Sequence, residues 1–206
     1  MSKEFYNHYW EHNAPPETDP LTPRRLELFS IEAKNRNIHT VLDVGCGRGV
    51  ITHTLSLNGL TAQGIDISET AIHRARKSFP DLTFQTILSD GLFPVESESI
   101  DALFCAEVIE HIYDTEGFVR EMARVLKPGG FCFVTTPYHG WIKNLLLTVL
   151  GFDKHFDVTG PHIRFFSDRS LSNLLQSARI KVHHTHHIGR FFPLWMDTII
   201  CGTKSP

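Results

Sequence analysis

The segment VLDVGCGRG at residues 41–49 constrains the fold of this chain more than any other part of its sequence. An apolar strand leads directly into three glycines at alternate positions, and a run with helical character follows. Glycine permits a positive φ and lets a ligand approach the backbone closely. The free N–H groups at the start of the next helix attract negatively charged or polar ligand atoms. The segment therefore predicts a strand–turn–helix unit that binds a ligand.

Apolar strands and helices alternate along the rest of the chain. Strands are predicted at 41–44, 61–67, 82–88, 100–106, 131–136, 180–188 and about 195–202. Helices are predicted at 22–37, 49–57, 69–78, 115–126, 141–152 and 168–177. Such alternation is typical of an α/β fold in which helices cover both faces of a parallel sheet. We expect a doubly wound, seven-stranded, mostly parallel sheet in a single domain, 1–206.

Acidic residues follow the first three predicted strands. Asp43 could accept bonds from loop N–H groups or reach a ligand ammonium through water. Asp66 ends the second strand, where a carboxylate can accept both hydroxyls of a ribose. Asp90 and Gly91 follow the third strand, where they could meet an adenine amino group. Each alone has a structural explanation as a turn or a helix cap, but together they favour a nucleoside ligand.

Three segments resemble the successive motifs of class I S-adenosylmethionine-dependent methyltransferases, which have a Rossmann-like fold. They are VLDVGCGRG, GID at 64–66 and VLKPGGFCFVTTP at 125–137. Within that superfamily, about residues 20–178 most resemble the ubiquinone-biosynthesis O-methyltransferases. The segments concerned are TPRRL at 22–26, EVIEH at 107–111 and GPHIRFFS at 160–167. The chain departs from that family in having Thr22 where the family has Asn, and in residues 138–160.

The resemblance implies S-adenosyl-L-methionine as cofactor. It implies that Arg25 pairs with the methionine carboxylate, that Asp66 holds the ribose, and that Gly45 and Ala106 make backbone contacts. The residues expected to bind the cofactor are Arg25, Asp43, Gly45, Gly47, Gly49, Asp66, Ile67, Asp90, Gly91 and Ala106. On this basis, 1–37 form an N-terminal helical cap, 38–137 the cofactor-binding core, and 138–206 the acceptor-side helices with the last two strands.

Glu107, Glu110 and His111 follow the fourth strand at a spacing that places them on one face of a helical turn. Two carboxylates and an imidazole suit a divalent cation such as Mg²⁺. Similar elements in related methyltransferases support a metal, with a distant His as the fourth ligand. We expect His162 to be that ligand, with His139 and His155 as competitors, and we expect Glu107, His111 and His162 to be the catalytic residues. Alternatively, the two glutamates are structural and His111 only lines the pocket.

The composition of the chain limits the kinds of partner that it can bind and the compartments in which it can be placed. The 206 residues carry a formal net charge of −3, so no nucleic-acid surface is expected. The four cysteines form no C-x-x-C pair and are expected to be buried thiols in a reducing compartment. No signal-peptide core and no apolar run of roughly 18 residues is present. A cytoplasmic location is therefore expected, and the sequence does not determine the oligomeric state.

The expected activity is O-methylation of a small phenolic or hydroxylated metabolite, with isoprenoids included. An RNA methyltransferase with an E-x-x-E-H element and a non-catalytic nucleoside-binding module are the alternatives. Val50, where a dinucleotide fingerprint has its last glycine, opposes a nicotinamide oxidoreductase.

Several apolar segments have two open interpretations. Residues 141–152 and 190–196 would line an acceptor pocket or make a peripheral membrane contact, unless they only cover the core. The aromatic residues Phe5, Tyr6, Tyr9 and Trp10 would form a lid over the cofactor or pack ordinarily.

Overall fold

In the computed structural model, residues 3–12, 19–88, 91–155 and 162–206 are described, without the side chains of 152–155. The described strands form one sheet in the order β3-β2-β1-β4-β5-β7-β6. The strands are β1 (Thr40–Val44), β2 (Thr61–Asp66), β3 (Thr83–Thr86), β4 (Ile100–Ala106), β5 (Leu126–Pro137), β6 (Ile180–Gly189) and β7 (Trp195–Lys204). Strands β1 to β5 pair in parallel, whereas β7 runs antiparallel to both of its neighbours. The predicted seven-stranded, mostly parallel sheet is confirmed.

The helices lie on both faces of this sheet. They are α1 (Lys3–His12), α2 (Thr22–Asn35), α3 (Val50–Leu57), α4 (Glu69–Ser78), α5 (Thr115–Val125), α6 (Trp141–His155) and α7 (Asp168–Ser177). On one face, Phe29 of α2 packs edge-on against Phe104 and Phe133, at centroid distances of 5.3 and 5.6 Å. On the other face, α5 and α7 bury Met122 and Leu171 completely. The central strands are therefore covered on both sides, as their continuous apolar runs require.

The largest difference from the predicted strand boundaries is the start of β5. Strand β5 begins at Leu126, whereas the sequence places a turn at 127–130 before a strand at 131. Leu126 pairs with Ile100, and a register shift then brings Phe131 opposite Ala102. The prolyl and glycyl residues between them are thus accommodated as an irregularity of the strand rather than as a separate turn.

Several apolar side chains of α6 are exposed. Trp141 and Leu150 are 77% and 80% exposed, and Phe191, in the loop before β7, is 71% exposed. Trp141, Leu150 and Phe191 therefore do not cover the core themselves, and both interpretations of these segments remain open. The membrane contact remains a prediction. None of the described helices is both long and apolar enough to cross a bilayer.

Candidate active site

A cavity of about 670 Å³ opens at the carboxyl ends of β1, β2 and β4. Ligands bind at this edge in open α/β sheets. Its walls come from the turns after these three strands, from α1 and from α5. The described residues that line it are Phe5, Tyr6, Tyr9, Trp10, Gly45, Asp66, Ile67, Ile87, Gly91, Leu92, Phe93, Glu107, Val108, His111, Ile112, Tyr113, Asp114, Gly117, Phe118, Arg120 and Glu121.

The glycine turn forms one wall of this cavity. Gly45 has φ +77°, and its N–H donates to the carbonyl of Ile65 at 2.8 Å. A Cβ at Gly45 would lie 2.3 Å from Cγ2 of Val108, the residue that faces the turn from the end of β4. Glycine is therefore required here both by the backbone conformation and by the close approach of the neighbouring strand end.

Asp66 lies beside this turn at the end of β2 and is 8% exposed. Its Oδ2 accepts the N–H of Gly47 at 2.9 Å, and its Oδ1 accepts the N–H of Ser68 at 2.8 Å. Burial raises the pKa of this carboxyl, and the two backbone donors oppose that rise. The carboxylate is thus held rigidly in the cavity wall, with lone pairs remaining for ribose hydroxyls.

Other predicted cofactor residues take different positions. Ile67 and Gly91 line the cavity, whereas Gly47, Gly49 and Ala106 are not among its described lining residues. Asp90 lies outside the described residues. The cofactor contacts of this whole set remain predictions.

Asp43 is 2% exposed and does not belong to the described cavity wall. Its Oδ2 accepts a hydrogen bond from Thr52 Oγ1 at 2.6 Å, which ties β1 to α3. Burial raises the pKa of Asp43 to about 7. These contacts favour a structural role, in which Asp43 holds the end of β1 against α3 and so fixes the glycine turn between them.

Arg25 is 3% exposed and is surrounded by three carboxylates. Its Nε donates to Asp197 Oδ2 at 2.8 Å, and its Nη1 donates to Asp19 Oδ2 at 2.5 Å. Its Nη2 also bonds Asp197 and lies 3.4 Å from Glu107 Oε1. The guanidinium is therefore occupied by protein carboxylates, and the predicted pairing with the methionine carboxylate would add a fourth anion to this network.

Glu107 belongs to this network rather than to a cluster with Glu110. Its Oε1 accepts a hydrogen bond from Thr135 Oγ1 at 2.8 Å and faces Arg25. Its backbone has φ +56°, an uncommon conformation for a residue other than glycine that turns the chain sharply after β4. Burial raises the pKa of Glu107 to about 7 although Arg25 opposes the rise. Glu107 therefore lines the cavity with a carboxyl group whose pKa lies near neutral pH.

Glu110, His111 and His162 come together at the cavity edge. One ligand atom from each lies within 4.8 Å of the others, and the two imidazole rings are 4.8 Å apart. The segment after His162 is anchored because the N–H groups of Ile163 and Arg164 donate to the Glu110 carbonyl at 3.1 and 3.0 Å. The structure thus joins three of the four predicted metal ligands.

The Glu110 carboxylate is 1% exposed, and its Oε1 has no hydrogen-bond partner in the described part of the chain. Its Oε2 accepts a bond from Thr136 Oγ1 at 3.3 Å. Burial, and then the charge of Glu107, raise the pKa of Glu110 well above its ordinary value. His139 stands apart from this cluster against Asn144 and Phe165, and the side chain of His155 is not described.

Helix α1 covers the cavity. It is attached to α4 by an ion pair of 2.5 Å between Lys3 and Glu69, and by Ser68 Oγ, which donates to Asn7 Oδ1 at 2.8 Å. Trp10 lies over the glycine turn, where a Cβ at Gly47 would meet its ring at 3.0 Å. The four aromatic side chains predicted for a lid all line the cavity.

Sequence reasoning missed two parts of the site. Asp197, on β7, is the main partner of Arg25 although 172 positions separate them. The α5 side of the cavity, including Phe118 and Glu121, carries no motif. The only signal for Asp197 is a lone acidic residue in an apolar strand, which is unusual for a buried position.

Known proteins are similar to this chain in sequence and in fold. A family model described as a methyltransferase domain matches residues 42–134. The ubiquinone biosynthesis O-methyltransferase of Paracidovorax citrulli is 29% identical over 174 residues, which cover 80% of this chain and 72% of that protein. The enzyme of the same name from Thiobacillus denitrificans is 28% identical over 189 residues, which cover 86% of this chain and 80% of that protein.

Solved structures show the same architecture. An S-adenosylmethionine-dependent methyltransferase from Aquifex aeolicus superposes with a TM-score of 0.64 at 20% identity, covering 90% of this chain and 93% of that one. One from Methanosarcina mazei gives 0.66 at 19% identity, covering 92% and 99%. From the matched domain, the named relatives and the shared architecture, the chain is an S-adenosylmethionine-dependent methyltransferase with the class I fold.

Proposed function

We propose that the chain is an O-methyltransferase that acts on a small phenolic or otherwise hydroxylated metabolite, with isoprenoid compounds included. The observation that carries this proposal is the position of the Glu110–His111–His162 cluster at the edge of the cavity that Asp66 and the glycine turn form. Proton-accepting groups therefore lie beside the expected place of the reacting methyl group. The relatives named as ubiquinone biosynthesis O-methyltransferases support the same class of acceptor.

For methyl transfer, the protein has to position the two reactants and supply a group that accepts the proton of the acceptor hydroxyl. S-adenosylmethionine supplies a methyl group that is activated on its sulfonium. The acceptor oxygen forms a bond to the methyl carbon while the carbon–sulfur bond breaks and its electron pair stays on sulfur. With a cation bound, the proton of the acceptor hydroxyl goes to Glu107, whose pKa of about 7 suits a general base at neutral pH. His111 or His162 can accept it only where no cation occupies their lone pairs. Helix α1 contributes four aromatic side chains to the cavity wall and would shield part of the cavity from water.

A divalent cation is part of this proposal; Mg²⁺ is the ion expected from the sequence, and the two imidazoles that lie beside one carboxylate suit a borderline ion such as Zn²⁺ better. The fit is supported by Glu110 Oε1, a buried carboxylate oxygen without a hydrogen bond among the described residues, which lies 3.9 Å from His111 Nε2 and near His162. Glu110, His111 and His162 would hold the ion, and Glu107 would remain with Arg25. A cation bound there lowers the pKa of an acceptor hydroxyl.

Activity measured with labelled S-adenosylmethionine and a panel of phenolic and aliphatic alcohols tests the proposal. We expect transfer to phenols, loss of turnover on chelation, and recovery with Mg²⁺ or Zn²⁺. His162→Ala should lose turnover while S-adenosylhomocysteine affinity stays within about twofold, and His184→Ala, on the exposed face of β6, serves as the matched control. Turnover that survives chelation would overturn the metal, and methylation confined to RNA would overturn the acceptor class.

A further inference from the structure

The hydroxyl of Tyr6 is a polar group for which the described protein offers no partner. It is buried under α1 and forms no hydrogen bond within the described residues. A buried hydroxyl without a partner costs free energy, so such groups persist where water or a ligand completes them. The side chain of Tyr6 lines the cavity although its hydroxyl oxygen itself is buried, so the partner to look for is a ligand atom that packs against this side chain.

The position of Tyr6 is set by other contacts of its helix. Lys3, Asn7 and Trp10 attach α1 to α4 and to the glycine turn. No residue of α1 is fully buried, so the helix is not held by a core of its own. The Tyr6 hydroxyl therefore makes no described hydrogen bond that attaches the helix, and no structural role explains its buried position.

The surroundings of Tyr6 indicate which ligand it meets. Its ring lies edge-on to His111, with centroids 6.3 Å apart, and the Glu110 carboxylate acts electrostatically on its hydroxyl. Burial raises the pKa of this hydroxyl most, and the charges of Asp66 and then of Glu110 add to the rise. Each oxygen of Asp66 accepts one backbone N–H, whereas Glu110 Oε1 accepts no hydrogen bond in the described chain and lies 3.9 Å from His111 Nε2.

The two unsatisfied atoms have complementary needs. The Tyr6 hydroxyl is a donor that needs an oxygen lone pair, and Glu110 Oε1 is an acceptor that needs a proton or a cation. The cation proposed above would satisfy Glu110 Oε1, and a hydroxylated methyl acceptor beside that cation would offer the Tyr6 hydroxyl the oxygen lone pair that it lacks. We propose that Tyr6 is a substrate-binding residue whose hydroxyl donates a hydrogen bond to an oxygen of the methyl acceptor. This inference rests on the proposed O-methyltransferase function.

The role of α1 follows from this assignment. Trp10 covers the turn expected to bind the cofactor, while Tyr6, one helical turn earlier, reaches the acceptor. One helix thus contacts both reactants. When α1 packs over the cavity, it aligns the acceptor oxygen with the methyl group and also shields the two reactants from water.

Tyr6→Phe tests the inference, with Tyr138→Phe as the matched hydroxyl deletion at a position that is not part of the described cavity wall. The assays are methylation of catechol with S-adenosylmethionine and either Mg²⁺ or Zn²⁺, and calorimetric titration with S-adenosylhomocysteine. We expect kcat/KM for catechol to fall about tenfold in Tyr6→Phe, mainly through KM. The affinity for S-adenosylhomocysteine should stay within about twofold, and the thermal midpoint should not fall.

Each other outcome decides against a defined claim. If wild-type protein methylates catechol and Tyr6→Phe does so equally well, Tyr6 does not bind the acceptor, and the proposed function stands. A loss confined to S-adenosylhomocysteine affinity would assign the hydroxyl to the cofactor instead. If wild-type protein leaves catechol and the whole panel of phenolic and aliphatic alcohols unmethylated, the proposed acceptor class fails and this inference fails with it.

Discussion

The charge network around Arg25 makes the sharpest prediction about stability. Arg25→Met leaves Asp197 and Glu107 without their cation in a site where Arg25 is 3% exposed. Removing one partner of a buried ion pair costs about 3–5 kcal/mol because the remaining charge stays buried. We therefore expect the free energy of unfolding in urea at pH 8 to fall by about 3–5 kcal/mol in chelator-treated protein.

The pH dependence of this loss identifies its cause. The folded-state pKa of Glu107, about 7, lies above its ordinary value of 4.5, so Glu107 favours the folded state below pH 4.5 and loses that contribution as pH rises towards 7. Without Arg25 its pKa rises further. One additional unit corresponds to about 1.4 kcal/mol, so the defect of Arg25→Met should be smaller at pH 5 than at pH 8 by about that amount.

Arg24→Met is the control for this experiment. Arg24 is the exposed neighbour that pairs with Glu27 on the same helix, and such surface pairs contribute less than about 1 kcal/mol. A defect of Arg25→Met that is equal at both pH values, or no larger than that of Arg24→Met, would refute the argument. A separate comparison of S-adenosylhomocysteine with adenosine, which lacks the carboxylate, measures whether Arg25 also binds the cofactor's methionine end.

Three further predictions concern the turn, the ribose site and the surface. Gly45→Ala should destabilise the chain by roughly 1–3 kcal/mol in urea unfolding, and Val108→Ala should restore part of the loss because the 2.3 Å contact disappears. Asp66→Asn should weaken S-adenosylhomocysteine binding about 10- to 100-fold in calorimetry, unlike the exposed Asp81→Asn; equal affinities would remove Asp66 from the ribose site. If α6 contacts membranes, the double substitution Trp141→Ser with Leu150→Ser should reduce co-sedimentation with phospholipid vesicles at least about tenfold, and unchanged binding would exclude that surface.

Much of the fold could be predicted because its signals are local. The strand–turn–helix unit at residues 41–49, the capping serine at Ser167 and the alternating apolar runs each follow from neighbouring residues. Boundaries were less certain where two local rules compete, as at 127–130. There, glycine and proline indicate a turn, yet pairing with β4 extends the strand.

The residues of the predicted site also fall into two groups: those whose position follows from a local pattern and those whose role does not. Gly45 and Asp66 line the cavity as expected, because their place at strand ends follows from the strand pattern and the parallel sheet. Glu107 and Glu110 could not be assigned different tasks from sequence, since both follow β4 three positions apart. The backbone turns sharply at Glu107, and this sends one carboxylate towards Arg25 and the other towards His111.

The sequence alone determined the class of fold and pointed to the nucleoside cofactor, because glycine spacing and hydrophobic periodicity are properties of short segments. Only the tertiary structure decided which groups meet. His162 reaches His111 from 51 positions away, Asp197 reaches Arg25 from the antiparallel strand β7, and Tyr6 reaches the cavity from the far end of the chain. Such contacts depend on how distant elements pack, and no local pattern encodes them.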